Sequence, residues 1–125
     1  MQVAYIFRND MAATFQLATM ILPQLENDNH GVDVVGMMFF DDNLYSLVAG
    51  NPIGTRLSKI AGEKKVLLMI CDQCAIRRGL AEGDFGQCRT GDVKETNVVD
   101  GVQAGCFPQI YEALSTNMPD QVITL

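Results

Sequence analysis

A chain of 125 residues is long enough to bury one core unaided and too short for several, so a single domain spanning 1–125 is expected. Residues are 48% hydrophobic and 19% charged, yet no run approaches the roughly 20 apolar residues that a membrane span requires. A net charge of −6 with no run of Lys or Arg excludes a phosphate-tracking surface for nucleic acid and leaves a protein or a small molecule as the expected partner.

The opening Met1-Gln2-Val3-Ala4-Tyr5-Ile6-Phe7 has neither the basic start nor the small-residue cleavage site of a secretory signal. It reads as a first strand over 2–7 in a cytoplasmic protein. Arg8-Asn9-Asp10 then offers a helix cap at Asn9 or Asp10. Met11, Phe15, Ala18, Leu22 and Leu25 recur at steps of four and three, which predicts one buried helix face. Pro23 is expected to loosen the last turn, because it removes a backbone donor and crowds the carbonyl four residues back.

After the polar turn 26–31, where His30 is expected to be solvated, 32–40 is a nearly continuous apolar strand, so both of its faces are expected to be covered. Asp41-Asp42-Asn43 breaks it, and 44–49 reads equally as a strand extension or a helical turn. Asn51-Pro52 starts a helix through Ile60 with Gly62 as its stop. A third strand covers 66–70, followed by a helix from Cys71 to Gly79 or Leu80. The polar stretch 82–100, which holds Cys88, reads as a long loop of the kind that is often functional. A fourth strand over 101–106, a helix over 107–114 and a last strand over 121–125 complete the chain. Met20, Met37, Met38 and Met69 are expected as core filler.

Apolar strands alternating with amphipathic helices predict an α/β fold: a three-layer α/β/α domain with a mostly parallel five-stranded sheet. In such sheets the site lies at the carboxyl ends of the strands. That rim receives Arg8, Asn9 and Asp10, then Asp41 and Asp42, then Cys71, then Cys106. The two acids are adjacent and are expected to point to different sides.

Four cysteines in a domain that folds unaided point to thiols, a metal or transient redox chemistry rather than a disulfide framework. Cys71 ends an apolar strand and begins a helix, where outward backbone N–H groups and the nearby Arg77 and Arg78 favour a thiolate and Asp72 opposes one. The competing reading is a small buried hydrophobe. Cys74 lies almost one turn further on and is placed to resolve a disulfide or persulfide on Cys71, or simply packs the helix. Zinc on four thiolates is a third reading, weakened because Cys88 and Cys106 are single and far apart in sequence. No cofactor motif, phosphate loop or Ser-His-Asp set is present.

The segment Ile70-Cys71-Asp72-Gln73-Cys74-Ala75-Ile76-Arg77-Arg78-Gly79-Leu80 resembles the active-cysteine segment of the DsrE/DsrF/TusD-type sulfur-relay family, including its YchN-like members. Gly101-Val102-Gln103-Ala104-Gly105 is similar to that family's short glycine-flanked fourth strand. The resemblance implies a parallel five-stranded α/β fold and persulfide-carrier or sulfurtransferase activity. It places sulfane sulfur on Cys71, with Cys74 as a second cysteine shared by many YchN-like members. It also implies sulfur donor and acceptor proteins as partners, and homo- or hetero-oligomers of trimeric or hexameric type. Cys88 and Cys106 fall outside the shared pattern, and their role is left open between redox, metal and structure.

Overall fold

The computed structural model describes residues 1–86 and 93–125. Cys88 lies outside the described residues. Five strands form one parallel sheet in the order β6-β3-β2-β1-β7: β1 (Gln2–Phe7), β2 (Asp33–Phe39), β3 (Leu67–Cys71), β6 (Val102–Gly105) and β7 (Gln121–Thr124). Two short strands, β4 (Ala81–Glu82) and β5 (Lys94–Glu95), pair antiparallel beside it, so the stretch expected as a plain loop carries a small hairpin-like flank.

Between the strands lie α1 (π-helical over Ala12–Ile21, then α-helical over Leu22–Glu26), a 3₁₀ segment (Asp41–Leu47), α2 (Pro52–Lys64), α3 (Asp72–Arg77) and α4 (Phe107–Ser115). The 3₁₀ segment resolves the ambiguity at 44–49 in favour of helical turns. Strands β1, β2, β3 and β6 succeed one another in one direction across the sheet, and the chain returns through α4 to β7 at the opposite edge. With right-handed crossovers this puts α4 on the far face from α1 and α2 and makes a three-layer α/β fold.

The period-2 rule divides the strands cleanly. Val3, Tyr5, Phe7, Met37, Phe39, Leu68 and Ile70 belong to the main core, where Phe7 and Phe39 stack at 4.7 Å. Ile6, Gly36, Met38, Leu67 and Met69 line the other face under α4. That face is thinly covered: α4 has no buried residue and every residue of β7 is exposed.

Helix α1 departs from its expected face. Met11 and Phe15 are 59% and 45% exposed, Met20 is exposed as well, and the π-helical part buries Ala12, Ala13, Leu17 and Ile21 instead, whereas Leu22 and Leu25 in the α-helical part are buried as expected. The reason is the wider winding of a π-helix, seen in Gln16 N–H donating to the carbonyl of Met11 five residues back, which carries steps of four and three off one face. Pro23 sits in the first turn of the α-helical part, where its missing N–H costs little. Helix α2 runs through Gly62 to end at Lys65, which adopts the left-handed conformation at φ 58°. His30 is half-buried rather than solvated: one ring nitrogen meets the Tyr5 hydroxyl and the other the Gln24 side-chain oxygen, each at 2.8 Å. Burial holds its pKa below the ordinary value.

Candidate functional site

The carboxyl rim of the sheet is organised by Asn43, a buried residue of the 3₁₀ segment that the sequence analysis did not single out. Its side-chain oxygen accepts from Ala13 N–H at 3.0 Å, and its amide donates to the carbonyls of Asn9 and Phe40, each at 3.1 Å. One side chain thus ties the ends of β1 and β2 to the start of α1. The only advance signal was an Asn directly after an acidic pair at a strand end.

Next to this tie, Asp41 adopts φ 53°, an uncommon conformation for a residue with a side chain. Its N–H donates to Cys74 Sγ at 3.4 Å, and its carboxylate oxygen Oδ1 lies 3.9 Å from the same sulfur. Asp42 turns away, as adjacent residues should, and pairs with Arg78 at 2.8 Å. The Arg78 guanidinium lies 5.9 Å from the centre of the Tyr45 ring and donates to the Cys74 carbonyl at 3.1 Å. Arg77, grouped with Arg78 in the sequence, is exposed and stands outside this arrangement.

Cys71 caps α3: its sulfur accepts from Cys74 N–H at 3.4 Å. Both cysteines are half-buried free thiols. Behind them Asp72 is fully buried, with Oδ1 accepting from Gln73 N–H at 2.7 Å and Oδ2 unpartnered. Gln73 accepts from Gly86 N–H through Oε1 at 2.5 Å, and its Nε2 is buried without a partner. Cys106 sits on the same rim, one residue beyond the Gly105 that pairs with Cys71, and caps α4 reciprocally with Gln109.

The two thiols of the pair are shifted in opposite directions. Its thiol is pushed up, first by donating its proton to Cys74 and then by burial, and it holds that proton beyond the ordinary thiol range. Cys74 falls to about 6, because the Cys71 thiol, the Asp41 N–H and the Arg78 charge together outweigh burial and the Asp41 carboxylate. The cap seen from sequence acts on Cys71, whereas Cys74 is met first by its neighbour Cys71 and then, from just beyond β2 and 33 residues away in the chain, by the Asp41 N–H.

This distribution gives stability a pH signature. The depressed Cys74 contributes stability that is complete above the ordinary thiol value of 9.0 and is lost as pH falls through about 6. The raised Cys71 contributes below the ordinary value and loses its contribution as pH climbs above it. Urea melts of reduced protein against Cys74→Ser are therefore expected to show a gap that widens from pH 6 to 9 and narrows beyond. A gap independent of pH would contradict the charge placement.

Among the described residues, no three His, Cys, Asp or Glu side chains converge to hold a metal ion. No helix among them is long and apolar enough to cross a membrane.

No protein-family model and no curated protein sequence matches the chain. Among solved structures, the YchN protein from E. coli matches over 99% of this chain and 97% of its own, with a TM-score of 0.61 and 17% sequence identity. The two share a fold. At that identity the likeness concerns the path of the backbone and assigns no chemistry to the cysteines.

Proposed function

We propose that the protein is a sulfur-relay protein whose Cys71–Cys74 pair accepts sulfane sulfur as a persulfide and passes it to the thiolate of a partner protein. The observation that carries this reading is the pair of half-buried free thiols one turn apart at the carboxyl end of a central strand, with Cys74 N–H donating to Cys71 Sγ and Asp41 N–H donating to Cys74 Sγ. A fold shared with YchN and the family-like Cys71 segment support it. In the incoming step a thiolate of the pair attacks the outer sulfur of a donor persulfide, a new sulfur–sulfur bond forms, the donor's own bond breaks, and the donor departs as a thiolate. The outgoing step repeats this with the acceptor thiolate attacking. Neither step needs an oxidant or a reductant, and a reduced pair fits a cytoplasmic setting.

Reduced protein treated with inorganic polysulfide is expected to gain the mass of added sulfur, and the gain is expected to vanish when Cys71→Ser and Cys74→Ser are combined. An equal gain in the double variant, which keeps Cys88 and Cys106, would remove the proposal.

A second reading, a thiol–disulfide redox protein, is favoured by two free thiols on one turn, with Cys74 N–H donating to Cys71 Sγ, because oxidation of such a pair closes a local disulfide. Titration with dithiol buffers separates the two: a bridge that forms and opens at cellular potentials supports redox work, and persulfide loading without a bridge supports the relay.

The partner includes a second copy of the chain in this reading. Phe107, Tyr111 and Val122 are exposed around a groove of about 190 Å³ between α4 and the sheet, and β7 offers an unpaired edge beside it. Light scattering is expected to give an oligomer for the natural chain and a smaller species for Val122→Lys. A monomeric natural chain would overturn this part alone.

A further inference from the structure

We infer that the peptide unit joining Phe40 to Asp41 is a fixed hydrogen-bond donor for negative charge on the thiol pair, and that Asn43 is the positioning residue that aims it. The part this donor plays in sulfur transfer rests on the sulfur-relay reading; its aim stands on geometry.

A peptide unit is planar and trans, so its carbonyl and its N–H point in opposite directions and holding one fixes the other. The Phe40 carbonyl accepts twice from a single residue, from the Asn43 backbone N–H at 3.2 Å and from the Asn43 side-chain amide at 3.1 Å. At the other end of the same unit the Asp41 N–H reaches Cys74 Sγ at 3.4 Å. Asn43 has no room to swing: it is 4% exposed and also bonded to Ala13 N–H and to the Asn9 carbonyl. The flanks of the unit are held as well, because Phe40 N–H donates to the Phe7 carbonyl at 2.9 Å and Asp42 pairs with Arg78. Held on both sides, Asp41 keeps a φ of 53°, a sparsely populated conformation for a residue with a Cβ. Hydrogen bonds to the carbonyl also polarise the unit and strengthen what its N–H offers.

Each sulfur of the pair thereby has one backbone amide. Cys71 Sγ has the N–H of Cys74, and Cys74 Sγ has the N–H of Asp41. When an acceptor thiolate attacks the outer sulfur of a persulfide on the pair, the bond to the carrying cysteine breaks and its electron pair stays on that cysteine's Sγ. An N–H already facing the atom where charge develops stabilises it without a proton transfer and without rearrangement. The first amide belongs to the turn of α3 and is present whenever that turn is. The second is delivered from another segment and lasts only while Asn43 holds the Phe40 carbonyl. Asn43 touches neither sulfur and acts through the peptide unit, whichever of the two cysteines takes the sulfane sulfur first.

The donor is read on one thiol in Cys71→Ser, where no second thiol of the pair shares the proton. In that reduced chain the amide proton resonance of Asp41 is expected to shift with the ionisation of Cys74, followed by NMR. The pH dependence of Cys74 labelling by iodoacetamide, resolved by peptide mapping, gives the midpoint independently. Adding Asn43→Ala is expected to raise that midpoint by about one pH unit and to slow labelling at pH 7 by about threefold or more. Asp41→Asn keeps the N–H, suits the left-handed backbone and removes the carboxylate whose Oδ1 lies 3.9 Å from the sulfur, so it is expected to lower the midpoint. Leu25→Ala is the control for lost stability. Leu25 is buried beside the amino ends of β1 and β2, away from the rim, and its truncation is expected to leave the midpoint where it was. A looser fold alone speeds labelling, whereas loss of the aimed donor slows it. An Asp41 amide that ignores the ionisation of Cys74 would overturn the inference, and this readout needs no change at Asn43. A midpoint that stays fixed in folded Asn43→Ala, or that rises equally in Leu25→Ala, would overturn it too, in each case leaving the relay reading intact. Failure of polysulfide loading on a natural chain whose variants shift as expected would remove the relay reading and leave the donor in place.

Discussion

Asn43→Ala is expected to lower stability by about 3 kcal/mol, several times the effect of an ordinary surface change. The side chain is buried and makes three hydrogen bonds, all to backbone groups of other segments or of the strand end. Its removal strands Ala13 N–H, a buried donor, at about 1–3 kcal/mol, and takes one partner each from the carbonyls of Asn9 and Phe40. Alanine also leaves a small void. Urea unfolding is the measurement, and a lower midpoint at unchanged slope is the expected form. Asn43→Asp separates hydrogen bonding from packing, since the shape is kept while the two donated bonds become carboxylate facing carbonyl. It is expected to destabilise more than alanine at pH 7. A loss under about 1 kcal/mol in both variants would show that the rim is held by other contacts.

The same residue explains where sequence reading reached its limit. Strands 2–7, 32–40 and 66–70 announce themselves because a buried parallel strand is an uninterrupted apolar run, and the order of strands and helices then leaves few topologies to consider. The rim was legible for the same reason, since the residue that ends each strand must lie there. What rim residues do to one another was not legible. Cys71 and Cys74 share a turn, and a local rule sees only the cap on Cys71, whereas the Asp41 N–H that meets Cys74 comes from the segment after β2. Asn43 looks like an ordinary strand breaker until its three backbone partners are known. Helix α1 failed differently: its residues were read at a period of 3.6, and the chain winds wider, so Phe15 emerges and Leu17 is buried. His30 was misplaced because its partners, Tyr5 and Gln24, meet it only after β1 and α1 are packed. For Cys74, Asn43 and His30 a pattern local in sequence was right about the element and silent about a contact made at long range.

Gly54→Ala is the second large effect, and two opposing magnitudes decide its sign. Helix propensity favours alanine over glycine by about 1 kcal/mol in the interior of a helix such as α2. Against this, a Cβ at Gly54 would lie 2.5 Å from the carbonyl oxygen of Ser46 and 3.1 Å from the Cα of Leu47. Both are backbone atoms of the 3₁₀ segment and have no rotamer by which to escape. Overpacking of that kind costs about 3 kcal/mol or more when backbone must move, so a net loss of about 2 kcal/mol or more is expected, and Gly54→Val is expected to cost more. Gly62→Ala is the control on the same helix: nothing lies within 4 Å of its added Cβ, so propensity acts alone and a gain of about 0.5–1 kcal/mol is expected. The strain at Gly54 has a second readout, because the segment it displaces begins with Asp41, Asp42 and Asn43. Folded Gly54→Ala is expected to label more slowly at Cys74 at pH 7, with the midpoint shifted toward the ordinary thiol range as the Asp41 N–H moves off the sulfur. Gly62→Ala is expected to label at the natural rate. Equal labelling in all three chains, with the stability loss present, would show that the seat of the 3₁₀ segment on α2 supports the fold without setting the reactivity of the thiol pair.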